Sequence, residues 1–118
     1  MAVFVHGGSF VSGSNTSPNI FRGVDYCRRG IILVNINYRL NAFATGYDKT
    51  HHGNYALKDQ VAALTWVREN IAAFGGDPER VTLMGESAGA LSVQLLMYFP
   101  YAKGLFRGAV MMSGGGDF

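Results

Sequence analysis

The chain has 118 residues, ten of them basic and eight acidic, for a formal net charge of +2. That length holds one small domain with a core, and so dilute a charge, with only Arg28 and Arg29 as adjacent basic residues, excludes a nucleic-acid footprint. No apolar run approaches the roughly 20 residues needed to cross a bilayer, and the single cysteine, Cys27, cannot close an internal disulfide.

The first element is a short buried strand, Val3 to Val5, followed by the loop His6-Gly7-Gly8-Ser9-Phe10 and a glycine- and serine-rich stretch to Pro18. No Gly-Lys-Ser/Thr follows that loop and no helix opens there, so it is not read as a phosphate cradle. Met1 leads straight into this strand, which suggests a piece of a longer protein. From Asn19 to Arg29 the spacing of Ile20, Val24 and Cys27 predicts a short amphipathic helix ended by Gly30, with Cys27 as a small packed hydrophobe. Ile31 to Tyr38 is the clearest strand. Its first half is apolar without alternation, the mark of a parallel strand covered on both faces. Arg39 to Gly53 reads as a polar surface loop, with His51-His52 facing solvent rather than binding a metal.

A long helix is predicted from Asn54, its N-cap, to Phe74. Leu57, Val61, Leu64, Ile71 and Phe74 form its apolar stripe, widened by Trp66 and Val67, while Lys58, Gln60, Glu69 and Asn70 lie elsewhere on its surface. Gly75-Gly76 and Asp77-Pro78 end it. Val81 to Met84 is the next strand, Ala90 to Phe99 an apolar helix buried on most sides and stopped by Pro100, and Gly108 to Ser113 the last strand after a turn at Ala102 to Phe106. Strands alternating with helices imply an α/β fold: a parallel sheet of about four strands, right-handed crossovers and helices on both faces.

Between the third strand and its helix stands Gly85-Glu86-Ser87-Ala88-Gly89. A strand, a sharp turn with serine at its tip and a helix form a nucleophile elbow, which presents the hydroxyl at the carboxyl ends of the strands. A serine that attacks a carbonyl needs a base, a group to orient the base, and donors for the oxyanion. The backbone N–H of Ala88 and N–H groups of the His6-Gly7-Gly8-Ser9 loop are the candidate donors, with His6 orienting that loop's backbone. The base is missing: no histidine follows Ser87, and the only later carboxylate is Asp117. Glu86 has two readings, an electrostatic support for a histidinium or cationic substrate, or a buried hydrogen-bonded glutamate.

Five motifs in register, His6-Gly7-Gly8-Ser9-Phe10, Asn37-Tyr38-Arg39-Leu40, Gly53 to Leu64, Phe74-Gly75-Gly76-Asp77-Pro78 and Gly85 to Gly89, resemble the type-B carboxylesterase family, which includes the cholinesterases. The resemblance implies a partial α/β-hydrolase fold: residues 1–118 would be an internal fragment of one catalytic domain. It implies that Ser87 is the acyl-accepting nucleophile, that Gly8, Ser9 and Ala88 hold the oxyanion, and that the triad acid and histidine lie downstream. It further implies a small-molecule ester substrate, no cofactor or metal, no nucleic-acid partner, and a secreted or endoplasmic-reticulum location. A lipase of the same fold and a non-catalytic adhesion protein are the alternatives. Ser9 stands where the family commonly has a third glycine, and its Cβ is costly if the position needs positive φ. The Leu40 to Gly53 segment is about two residues shorter than the family pattern. Arg39 and Asp59, both in matched motifs, are expected to form a buried structural ion pair.

Overall fold

The computed structural model describes residues 1–17, 22–45 and 53–116. Four parallel strands, β1 (Ala2–Val5), β2 (Leu33–Asn35), β3 (Thr82–Glu86) and β4 (Gly108–Met112), form one sheet in the order β2-β1-β3-β4. All four residues of β1 are buried, as a strand between two neighbours and under cover on both faces requires. Among the described residues four helices join them: α1 (Gly23–Cys27), α2 (Ala42–Thr45), α3 (Tyr55–Asn70) and α4 (Ala88–Tyr98). Short 3₁₀ turns at Ile71–Phe74 and Pro100–Ala102 finish α3 and α4. Val3, Val5, Leu64, Val67, Ile71, Leu83, Val93 and Leu96 are the centre of the core.

Register matters more for the site than any single contact. Val3 pairs with Leu83 and Val5 with Gly85, so the chain leaving β1 runs beside the chain leaving β3. Gly85 also pairs with Met111 and Glu86 with Met112.

Several expectations change. β2 is only three residues long; just past it Ile36 N–H still donates to Phe4 O at 3.3 Å, and Tyr38 donates its hydroxyl to His6 O at 2.6 Å. The supposed loop after Arg39 contains α2, whose Ala44 is buried. His51 and His52, together with Ile20 and Asp117, lie outside the described residues. Cys27 is exposed rather than packed, and α1 buries none of its residues. Asn54 does precede α3, but in the left-handed region (φ 57°, ψ 34°), and its side chain makes no capping bond. α4 starts two residues early, at Ala88, and leaves Leu95, Met97 and Tyr98 exposed.

The helix stripe is also rotated. Ala56, Gln60, Leu64 and Val67 are the buried residues of α3, while Trp66 and Phe74 face out and touch each other at 6.0 Å between ring centroids. Gln60, expected on the surface, is fully buried and donates to Ser92 Oγ of α4 at 3.0 Å. Among the described residues its Oε1 has no partner.

Arg39 and Asp59 do pair, with Nε to Oδ2 at 2.7 Å, Nη2 to Oδ1 at 2.8 Å and the Arg39 amide to Oδ2 at 3.0 Å. The guanidinium lies 4.7 Å from the centre of the Tyr55 ring. The pair is not buried, however, since half of the Arg39 side chain is exposed. Burial pushes the Asp59 carboxyl up, but its hydrogen bonds from Arg39 and the adjacent charge outweigh this and hold it below its ordinary value; Arg39 is raised, chiefly by the same bond.

Candidate active site

Ser87 sits between the last residue of β3 and the first of α4 with φ 55° and ψ −119°. An L-residue held there stores about 1–3 kcal/mol of strain. The surrounding backbone over-determines the turn. Ser87 N–H donates to Met112 O at 2.9 Å, which ties it to β4, and Leu91 N–H donates to Ser87 O at 3.1 Å. Gly85 and Gly89 must be glycine because the turn folds so tightly: a Cβ on Gly85 would strike Gly89 O, and one on Gly89 would strike Val5 O. The segment after β4 closes the third side. Gln94 of α4 exchanges two hydrogen bonds with the Gly116 backbone, at 2.8 and 3.2 Å.

The parallel register carries His6 and Gly7 alongside Glu86 and Ser87. A Cβ on Gly7 would lie 2.7 Å from Glu86 O and Oε2 and 3.1 Å from Ser87 Cβ, so the loop backbone rests directly against the serine. Gly8, Ser9 and Phe10 then all take positive φ, at 114°, 55° and 62°. Ser9 therefore occupies the left-handed conformation in which its Cβ is unfavourable. No acceptor for the N–H of Gly8 or Ser9 occurs among the described residues. Ala88, as the first residue of α4, has no intrahelical acceptor for its own N–H, and the helix dipole adds partial positive charge there.

His6 is buried, stacks on Tyr38 with centroids 4.5 Å apart and places Nδ1 2.8 Å from Gly7 O. A carbonyl only accepts, so Nδ1 carries the proton and the ring braces the loop. Burial pushes the Tyr38 hydroxyl up to about 12, so it remains a donor to His6 O at neutral pH. Glu86 is exposed, which removes the reading of it as a buried hydrogen-bonded glutamate. It lines a cavity of about 320 Å³ under the loop, with His6, Gly8, Ser12 and Ser17. A larger cleft of about 500 Å³ opens at the opposite, amino ends of the strands, between Ile32, Gly76, Arg80 and Arg107. It holds neither Ser87 nor any residue of the Gly7-Gly8-Ser9 loop.

The structure thus brings Gly7, Gly8, Glu86, Ser87 and Ala88 to one end of the sheet. Motif reading does not find Ser12, Asn41 and Gln94, which fasten the loops around them. The partners of Asn41 and Gln94 are backbone atoms 30 and 22 residues away, made neighbours by the fold, while Ser12 bonds Gly8 O four residues before it.

A model of the carboxylesterase family matches residues 1–116. The chain is 46% identical over 117 residues to para-nitrobenzyl esterase of Bacillus subtilis, covering 95% of this chain and 24% of that protein. It is 45% identical over 115 residues to neuroligin-2 of Mus musculus, covering 95% and 13%. Among solved structures, an esterase from anaerobic Clostridium hathewayi that can hydrolyse aliphatic aromatic polyesters superposes with a TM-score of 0.90 at 40% identity, over 96% of this chain and 24% of that one. The chain spans a quarter or less of the length of each of these proteins.

Proposed function

The chain belongs to the carboxylesterase family and carries a parallel-sheet portion of its α/β-hydrolase fold, and on that premise we propose that Ser87 is the nucleophile of a carboxylic ester hydrolase. The observation that carries this is the strained backbone of Ser87, held at the carboxyl end of β3 with the Gly7-Gly8 backbone against it. Such strain persists only where surrounding structure enforces it, and it leaves Ser87 partly exposed at the tip of the turn.

In the proposed reaction Ser87 Oγ attacks the ester carbonyl as a base removes its proton. The carbonyl oxygen becomes an oxyanion, which the N–H groups of Gly8, Ser9 and Ala88 receive. Collapse expels the alcohol and leaves an acyl-serine, which water then releases as the carboxylic acid. Loss of one oxyanion donor costs on the order of 10²–10³ in rate. The base and the acid that orients it belong, in this proposal, to parts of a longer protein beyond residue 118. His6 is engaged with Gly7 O and braces the donors instead. Glu86 stands beside Gly7 as a carboxylate that stabilises the histidinium formed when the base takes the serine proton.

The relative named neuroligin-2 does not carry an esterase name, and it keeps a second, non-catalytic reading open. A fluorophosphonate separates the two, because it phosphonylates only an activated serine. Incubation of the full-length protein, followed by peptide mass spectrometry, is expected to find the adduct on Ser87. A folded, unlabelled protein with no turnover of 4-nitrophenyl butyrate sinks the esterase proposal.

A further inference from the structure

We infer that Ser12 and Asn41 are positioning residues that aim the Gly8–Ser9 peptide, and so the Ser9 N–H, at the oxyanion formed on Ser87. The inference rests on the esterase proposal and adds to it a mechanism for holding one donor. A trans peptide is planar, with its C=O and N–H pointing in opposite directions. Whatever fixes the oxygen of Gly8 therefore fixes the direction of the Ser9 N–H.

Gly8 O is held by three donors: Val11 N–H at 3.0 Å, Ser12 N–H at 3.0 Å and the Ser12 hydroxyl at 3.2 Å. A carbonyl offers two lone pairs, so this oxygen is fully engaged on its outer side. Asn41 clamps two carbonyls further along the loop, those of Phe10 and Val11. Its N–H donates to Phe10 O at 2.7 Å and its Nδ2 to Val11 O at 3.1 Å. The preceding peptide is held the same way, with Gly7 O against His6 Nδ1, which directs the Gly8 N–H. Among the described residues, the Ser12 hydroxyl is the one side-chain group on Gly8 O.

The clamp is needed because the segment is strained. Ser9 and Phe10 are consecutive L-residues with φ of 55° and 62°, a conformation that single residues visit only with local support. Releasing Gly8 O lets Ser9 relax to negative φ, which rotates the peptide and withdraws its N–H. Asn41 itself has φ 56°, so a substitution there must tolerate that conformation. Glycine does, while removing only the Nδ2 bond.

The test uses the full-length protein, with 4-nitrophenyl butyrate as substrate and an alkyl trifluoromethyl ketone as inhibitor. The ketone adds reversibly to the serine and carries the same oxyanion as the reaction. Ser12→Ala and Asn41→Gly are each expected to lower kcat about three- to tenfold, the worth of one net hydrogen bond. KM and the thermal midpoint stay constant, and ketone affinity falls by the same factor as kcat. Ser12→Thr, which keeps the hydroxyl, restores both. Unchanged kcat and ketone affinity in both variants overturn the inference, as does a loss of kcat that tracks the thermal midpoint and is not restored by threonine. Wild type that neither turns over ester nor binds the ketone fails at the esterase proposal itself, and the clamp falls with it.

Discussion

Replacing Ser87 by alanine and by glycine removes the same hydroxyl but leaves different backbones. Both variants are expected to be inactive and unlabelled. Their stabilities should differ, in a direction opposite to the usual one. In ordinary backbone a glycine is about 0.5–1 kcal/mol worse than alanine, because it loses more freedom on folding. At φ 55° and ψ −119°, alanine retains the strain that an L-residue pays, about 1–3 kcal/mol, and glycine does not. The balance favours glycine by up to about 2.5 kcal/mol. Urea unfolding of the two full-length variants reads this as a higher midpoint for Ser87→Gly at equal slope. A Ser87→Gly variant less stable than Ser87→Ala would refute the strained elbow, and with it the observation on which the nucleophile assignment stands.

Gly89→Ala should destabilise more severely than an ordinary helix substitution, since its Cβ would meet Val5 O and the backbone of β1 cannot yield as a side chain can; overpacking typically costs about 1–3 kcal/mol or more, and normal stability with wild-type activity would contradict the packing. Gln60→Leu and Ser92→Ala should each cost about 1–3 kcal/mol by stranding a buried polar partner, while the double variant costs less than their sum; simple additivity would show that the two groups are not coupled. The depressed Asp59 carboxyl contributes stability above its ordinary value of 3.8 and loses it as pH falls through the lower folded value. The stability gap between wild type and Asp59→Asn should therefore be constant near neutrality and close progressively below about pH 4. A gap that persists unchanged to pH 2 would mean that Arg39 does not bind the ionised form.

How much of this was legible in the sequence depends on whether the determinant is local. β1, β3 and β4 are short apolar runs, and the sharp turn at Ser87 is set by residues adjacent in the chain, so the fold class and the strand–turn–helix around Ser87 are legible directly. Gln60 is polar, which suggests the surface, but its position decides its place. It lies four residues after Ala56 and four before Leu64, on the face that those two bury, and spacing alone would have put it inside. Cys27 was expected to pack because its helix is amphipathic, yet the short α1 buries nothing. The ion pair was recognised from its motifs, but its exposure depends on neighbours that the motif does not contain. Ser12 and Asn41 gave no signal. Asn41 meets the loop only after the chain has passed through β2 and returned.

Val5 and Gly85 are ladder partners, so the Gly7-Gly8-Ser9 loop and the serine it lies against are separated by most of the chain. Parallel pairing of that separation forms slowly, after the loop-closure entropy has been met. On a ribosome the Gly8 and Ser9 amides are made early and wait for β3, and the Ser87 amide then waits for Met112 O at the end of β4. Until then the chain has the residues of the site but not the site. An emerging polypeptide therefore meets two pairing steps in order: β1 with β3, which brings the Gly7-Gly8 loop to Ser87, and β3 with β4, which fastens the strained turn and completes the sheet.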